Sequence, residues 1–297
     1  MSAIGYAKAG RRPRTGDYLR DAVLYLIIFI FFLPVLWIII TSIRPNMEIN
    51  TRPPVWIPRE LTLDSYKILL GWPTPEGAFG LGSNIPFGQY ARNSIIIATV
   101  STLFSLTFGT LAGYAFARFT FKGKNGVFLG MMLARAVPGI ALSLPLFVLF
   151  ARLGLSDTIL GMIITYVALN VPFTAWLMDG FFRAIPAELD EAALIDGCSR
   201  WSAFLRVDLP LALPGAAASG IFAFLTAWNE FALANVITRT PASRTFPPAL
   251  YEFTGQFVSD WRGMCAMSVM MLIPAIIFVA LVQRQLMTGL TSGAMKG

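Results

Sequence analysis

The chain has 297 residues, of which 56% are hydrophobic and only 13% charged; too little polar surface is left to coat a water-soluble fold. It carries no histidine and two distant cysteines, Cys198 and Cys265, which excludes imidazole acid–base catalysis, His/Cys zinc sites and a disulfide framework. The net charge of +7 concentrates beside apolar runs, the arrangement that orients membrane helices, and argues against a nucleic-acid partner.

Six apolar runs are long enough to cross a bilayer, about 20 residues each. They cover 22–43, 94–116, 127–150, 158–181, 213–234 and 263–283. The expected fold is therefore an all-α integral membrane protein with one six-helix transmembrane domain over 22–283, a leading segment 1–21 and a tail 284–297. Pro138, Pro145, Pro172 and Pro274 fall inside the runs, where neighbouring helices or water can satisfy the freed carbonyls. Lys8, Arg11, Arg12, Arg14 and Arg20 precede the first run, and Arg118, Lys122 and Lys124 follow the second. Both groups should face the cytoplasm, as should both termini, leaving 44–92 as a long external loop. The first run is too long for the apolar region of a signal peptide and reads as an uncleaved helix.

The segment 185–210, between the fourth and fifth runs, differs from the rest. Pro186 suits a first helical turn, and Glu188, Asp190 and Glu191 suit its positive end. Ala192, Ala193, Leu194 and Ile195 continue the helix, and Gly197 can stop it. A second helix should run from Ser199 towards Leu209, with Trp201, Phe204, Leu205 and Leu209 as an apolar stripe, before Pro210 breaks it. On these residues alone the segment reads equally as a rigid knob for a soluble partner or as a helical linker in the lipid interface.

Glu191-Ala192-Ala193, three residues, Gly197, nine residues, then Val207-Asp208-Leu209-Pro210 resembles the EAA loop of ABC-importer permeases, with Val207 in place of the more usual isoleucine. Asp196 before the glycine fits the same pattern. Pro172-Phe173, Trp176 and Gly180-Phe181-Phe182 precede the loop, and Ala227-Trp228-Asn229-Glu230-Phe231 follows it, as in carbohydrate-importer permeases of the maltose type. The Arg135–Pro138 stretch, Gly154–Thr158 and the tail ending Met295-Lys296-Gly297 are similar to the same group, whose six-span member the chain looks most like. The resemblance implies a type I ABC-importer permease fold in a bacterial cytoplasmic (inner) membrane. It also implies a second permease subunit forming a heterodimer, two ATPase subunits, an extracytoplasmic solute-binding protein and a carbohydrate cargo. Glu191, Ala192, Ala193, Asp196 and Gly197 would then engage an ATPase subunit, and the tail after Gln283 would resemble one that reaches between the ATPase subunits. The sequence has no Gly-x4-Gly-Lys-Ser/Thr phosphate loop, so the chain is expected to bind no cofactor, and ATP and magnesium belong to the partner subunits.

Candidate pathway residues are polar groups within the spans. Arg135 lies deep in the third run, where lipid exposure is costly; it reads either as a pathway residue or as a structural pair or snorkelling group. Trp228, Asn229 and Glu230 combine an aromatic face, an amide and a carboxylate suited to sugar rings and hydroxyls, though Trp228 equally suits an interface anchor. Asn170, next to a proline kink, is a further candidate. A stand-alone secondary transporter would more usually show paired halves and intramembrane carboxylates, and an intramembrane enzyme a nucleophile–base pair; neither pattern is present. A non-sugar solute is the alternative cargo.

Overall fold

The first helix, α1 (Thr15–Ser42), exposes apolar side chains on all sides along most of its length. Such a helix satisfies its backbone internally and its surface only in lipid or against other apolar helices. Its end is tied to the folded body. Ser42 shares a 2.6 Å hydrogen bond with the Tyr66 hydroxyl, and buried Arg44 donates to the Trp56 carbonyl at 3.1 Å. The computed structural model describes residues 15–49, 51–53, 55–73, 85–255 and 259–293, with side chains between 18 and 283. Residues 1–14 of the leading segment and the Met295–Gly297 tail thus lie outside the described residues.

Two short helices, α2 (Asn46–Ile49) and α3 (Asp64–Leu70), follow in the segment 44–92. The centre of the fold is the pair α4 (Phe87–Arg118) and α7 (Ile159–Ala184). Gly109 and Gly113, four residues apart on one face of α4, let the two backbones touch. A Cβ on Gly113 would sit 2.7 Å from Met178 Cβ and 2.9 Å from the Ala175 carbonyl oxygen.

The third expected span, 127–150, is not one helix. It is divided into α5 (Lys124–Ala136) and α6 (Gly139–Leu153), bent by 97°. The break follows from proline. Pro138 has no N–H, and Val137 before it is extended (φ −69°, ψ 124°), the region that a residue preceding proline prefers. Pro145, Pro172 and Pro274 sit within continuous helices. The fifth expected span, 213–234, also ends early. α11 (Leu213–Asn229) stops where Glu230 turns extended, and α12 (Ala232–Ile237) starts afresh.

Between α7 and α11 lie α8 (Ala187–Ile195), α9 (Arg200–Ala203), a π-helical stretch (Phe204–Asp208) and α10 (Leu209–Leu211). After α12 come α13 (Phe246–Ala249), a 3-10 turn (Leu250–Phe253) and the final helix α14 (Trp261–Gly293). Among the described residues four helices are individually long and apolar enough to span a membrane, and the total reaches six if each of two bent pairs, α5 with α6 and the helix Arg200–Leu211 with α11 (Leu213–Asn229, 73°), counts as one span.

The buried side chains form two clusters. The larger lies where α4 and α7 meet α11–α14 and includes Tyr90, Tyr166, Trp228, Phe246 and Met267. The smaller lies at the other end of the α4–α7 pair, around Met178, Phe182, Ile185, Phe204 and Ala212. At the first end, Asp157 fastens the corner before α7 to the chain after α12. It accepts from the Arg239 and Thr240 amides and from the Thr240 and Ser243 hydroxyls at 2.5–3.0 Å. Burial opposes its ionisation, but these donors outweigh burial and hold its pKa down to about 2.

Candidate functional site

The smaller cluster carries the segment 185–210. α7 ends at Ala184, and Ile185 and Pro186 link it to α8 in extended conformation. α8 closes with a Schellman cap: the Cys198 amide donates to the Ala193 carbonyl (3.0 Å) and the Gly197 amide to the Leu194 carbonyl (3.1 Å). The cap requires a left-handed residue, and Gly197 has φ +85°. The Ser199 hydroxyl then accepts from the Ser202 amide at 3.2 Å and starts α9. The expected second helix is present. It runs two residues past the expected end, through Pro210 to Leu211, with the π stretch inside it.

Two short helices meeting at a glycine turn make a knob, and its outer surface is what a partner would see. Glu191, Ala192, Asp196 and Gly197 are exposed, and Ile195 is 85% exposed. Ala193 faces inward at 8% exposure, packing the knob onto its base. Trp201, Leu205 and Leu189 are also exposed, as are Arg200 and Arg206, so the knob offers apolar surface with charges of both signs.

The knob is held to α4 by groups that sequence reading did not assign to the site. Arg118, the last residue of α4, forms an ion pair with Asp190 of α8 at 2.7 Å and with Asp208 of the π stretch at 2.9 Å. Its remaining nitrogen donates to the Ile185 carbonyl at 3.2 Å. Asp208 is fully buried. Two carboxylates thus share one guanidinium. Burial, then hydrogen bonding to Asp208 and its negative charge, raises the Asp190 pKa to about 6, against the opposing pull of Arg118 and Arg200. One turn earlier on α4, the Tyr114 ring wedges against Phe204 (4.7 Å between centroids) and Phe182 (5.4 Å). One signal for this anchor was available: Asp208 interrupts an apolar stripe, and a carboxylate in such a place needs a cation.

The pathway candidates occupy different environments. Arg135 sits one residue before the end of α5, its guanidinium 4.3 Å from the Phe173 ring centroid. It borders a cavity of about 350 Å³ lined also by Leu142, Leu146, Phe150, Thr165 and Leu169. Asn229 is exposed at the end of α11 and donates to the Leu225 carbonyl at 3.0 Å. Glu230 caps α12, accepting from the Leu233 and Ala234 amides (2.8 and 3.0 Å) and from the Tyr166 hydroxyl (3.1 Å). Trp228 lies in the larger cluster at 2% exposure and donates to the Met271 carbonyl at 3.2 Å. Asn170 is buried between helices and donates to the Ala223 carbonyl at 3.2 Å. The structure therefore does not gather the five around one point: Arg135 and Asn229 are exposed, Asn229 with its amide bonded to the Leu225 carbonyl, whereas Trp228 and Asn170 are buried, Glu230 is half-buried, and all three bond within the chain. Among the described residues, no group of three or more His, Cys, Asp or Glu side chains is placed to hold a metal.

Comparison with known proteins agrees with this geometry. Residues 105–291 match the family described as binding-protein-dependent transport system inner membrane component. The diacetylchitobiose uptake system permease protein DasC of Streptomyces coelicolor is 34% identical over 264 residues, covering 89% of this chain and 91% of that one. The trehalose transport system permease protein SugB of Mycobacterium tuberculosis is 35% identical over 274 residues, covering 92% and 95%. The trehalose/maltose transport system permease protein MalG of Thermococcus litoralis is 33% identical over 277 residues, covering 93% and 95%. A crystal structure of a bacterial ABC transporter involved in import of the acidic polysaccharide alginate shares the fold. Its TM-score is 0.71 at 21% identity, over 93% of this chain and 99% of that one. With its knob held at one end of an apolar helix bundle, the chain belongs to the inner-membrane components of binding-protein-dependent transport systems and is an ABC-importer permease.

Proposed function

We propose that this permease moves a sugar or sugar derivative inward across the cytoplasmic membrane, and that the knob at 185–210 couples the movement to ATP hydrolysis on partner subunits. The observation that carries the coupling reading is the pairing of an exposed surface, Glu191–Gly197, with a buried ionic anchor at its base. A surface that only lay in the lipid interface would need no such fixed attachment. The partners are a second permease, two ATPase subunits that bind ATP and magnesium, and an extracytoplasmic binding protein. The basic residues at 118–124 support a cytoplasmic position for the knob and both termini. The sugar assignment is supported by the relatives' names, which specify diacetylchitobiose, trehalose and maltose.

Arg135 and Asn229 are the pathway residues this reading favours, because they are the exposed ones of the five. Arg135 beside Phe173 and the adjoining cavity offers a cation and an aromatic face to a solute. The test is co-purification followed by transport. The chain should bring an ATPase and a second permease with it. Proteoliposomes containing the complex and its binding protein should take up one of a panel of trehalose, maltose and diacetylchitobiose only with internal ATP. Recovery of a solitary, ATP-independent transporter overturns the proposal. ATP-dependent uptake of a non-sugar solute overturns the cargo alone.

A further inference from the structure

On its N-terminal side the covalent route from the knob to the bundle is thin, whereas on its C-terminal side α10 passes through Ala212 into α11 with a 73° bend. α8 joins α7 through Ile185 and Pro186, both extended (ψ 123° and 133°), so no continuous helix carries motion from one to the other. α4 has no covalent link to the knob; the chain leaves it for α5. Yet α4 is the helix most closely packed on α7, with backbones touching at Gly109 and Gly113. The ionic contact that joins it to the knob is made by Arg118. This one side chain reaches α8 at Asp190, the π stretch at Asp208 and the link itself at the Ile185 carbonyl. Tyr114, one turn back on the same face, fills the space between Phe182 and Phe204.

We propose that Arg118 is a positioning residue for coupling: a strut through which the knob drives α4 directly, so that α4 and α7 move as one body when the ATPase subunits close. This rests on the coupling reading above. An apolar contact would hold the knob but let it slide, because such contacts are non-directional. The Nη1 and Nη2 hydrogen bonds to the Ile185 carbonyl and Asp208 fix direction as well as distance, with Asp190 added as a charge contact, and lysine, a single point charge, cannot reproduce the pair. Burying the ions costs desolvation energy that an apolar base would not, and resistance to shear is what the ions add. A second tie between the helices, Arg183 with Asp179 and the Phe116 carbonyl, does not touch α8. It holds α7 to α4 without engaging the knob.

The test uses the complete importer in lipid nanodiscs, with Cys198 and Cys265 replaced by serine and spin labels at Phe108→Cys on α4 and Ala187→Cys on α8, both exposed positions. Their separation is measured without nucleotide and after trapping with magnesium, ATP and vanadate. Unaltered at Arg118, the protein should keep one separation in both states. Arg118→Gln should shift the separation on trapping and lose α4 movement while ATP hydrolysis continues. Arg118→Lys should show a smaller shift, and Arg183→Ala none. If Arg118→Gln fails to assemble with the second permease, Asp208→Asn, which keeps the side-chain volume, should give the same shift in reduced form. An unchanged separation in assembled Arg118→Gln overturns the strut and leaves the coupling reading intact, as does a separation that already shifts with Arg118 in place. If no ATPase accompanies the unaltered chain, the coupling reading falls and the strut with it.

Discussion

Gly197 has an open side: nothing lies within 4 Å of the position a Cβ would take, and only its φ of +85° resists a side chain. A non-glycine residue there costs about 1–2 kcal/mol of backbone strain, which an integral membrane bundle can absorb. Gly197→Trp should therefore insert and fold while losing cargo-stimulated ATP hydrolysis, because the bulk meets the partner and not this chain. Glu191→Lys, on the same exposed surface, should lose stimulation likewise. Purified yield and stimulated hydrolysis in proteoliposomes measure the two effects separately, and normal stimulation in both variants counts against the knob as the coupling site. Asp190 makes the attachment sensitive to pH. Its pKa rises from 3.8 to about 6 on folding, so its contribution is full below the lower value and is lost as pH rises through the upper one. The groups that face it are Asp208, Arg118, Arg200 and the Tyr114 hydroxyl. A spin label at Ile195→Cys should accordingly be less mobile at about pH 5 than at about pH 8, and Asp190→Asn should remove the difference.

Among the elements, the α4–α7 pair shows how little room the core allows. Gly113→Val would drive carbon atoms into Met178 and the Ala175–Asp179 backbone, an overpacking expected to cost about 1–3 kcal/mol. Its thermal unfolding in detergent should fall, whereas Gly126→Ala on α5, where nothing lies within 4 Å, should leave it unchanged. Glu230 illustrates the same dependence on context. Composition next to Trp228 and Asn229 suggests a sugar contact, but its carboxylate closes the start of α12. Sequence reading could not anticipate that α11 would stop at Asn229 and leave two amides needing an acceptor. Nor do four prolines inside the apolar runs declare which one breaks its helix. Pro138 does so with an extended Val137 before it, while Pro145, Pro172 and Pro274 are carried through.

For the whole molecule, the two ends of the bundle carry opposite assignments that can be labelled directly. Cysteine at Ile195 should react with an impermeant reagent only from the cytoplasmic side, and cysteine at Leu63, also exposed, only from outside. Labelling of Ile195→Cys from outside reverses the orientation and removes the coupling proposal. α1 and α5 expose apolar side chains along nearly their whole length. Lipid or a second permease must cover them, so the isolated chain should be markedly less stable in detergent than the same chain in its complex, measured as a difference in unfolding temperature.

Membrane residence, the helical class, most spans and the two-helix knob with its glycine turn were legible in the residues themselves. Apolar length, positive charge beside it and the helix-stopping chemistry of Gly197 act locally and leave their mark at short spacing. The anchor through Arg118, the burial of Trp228 and Asn170, the capping role of Glu230 and the 97° bend at Pro138 belong to the tertiary structure. Each depends on what a distant part of the chain brings to within a few ångströms: Arg118 and Asp208 lie 90 positions apart. A carboxylate's partner, unlike a helix's period, cannot be read from the residues beside it.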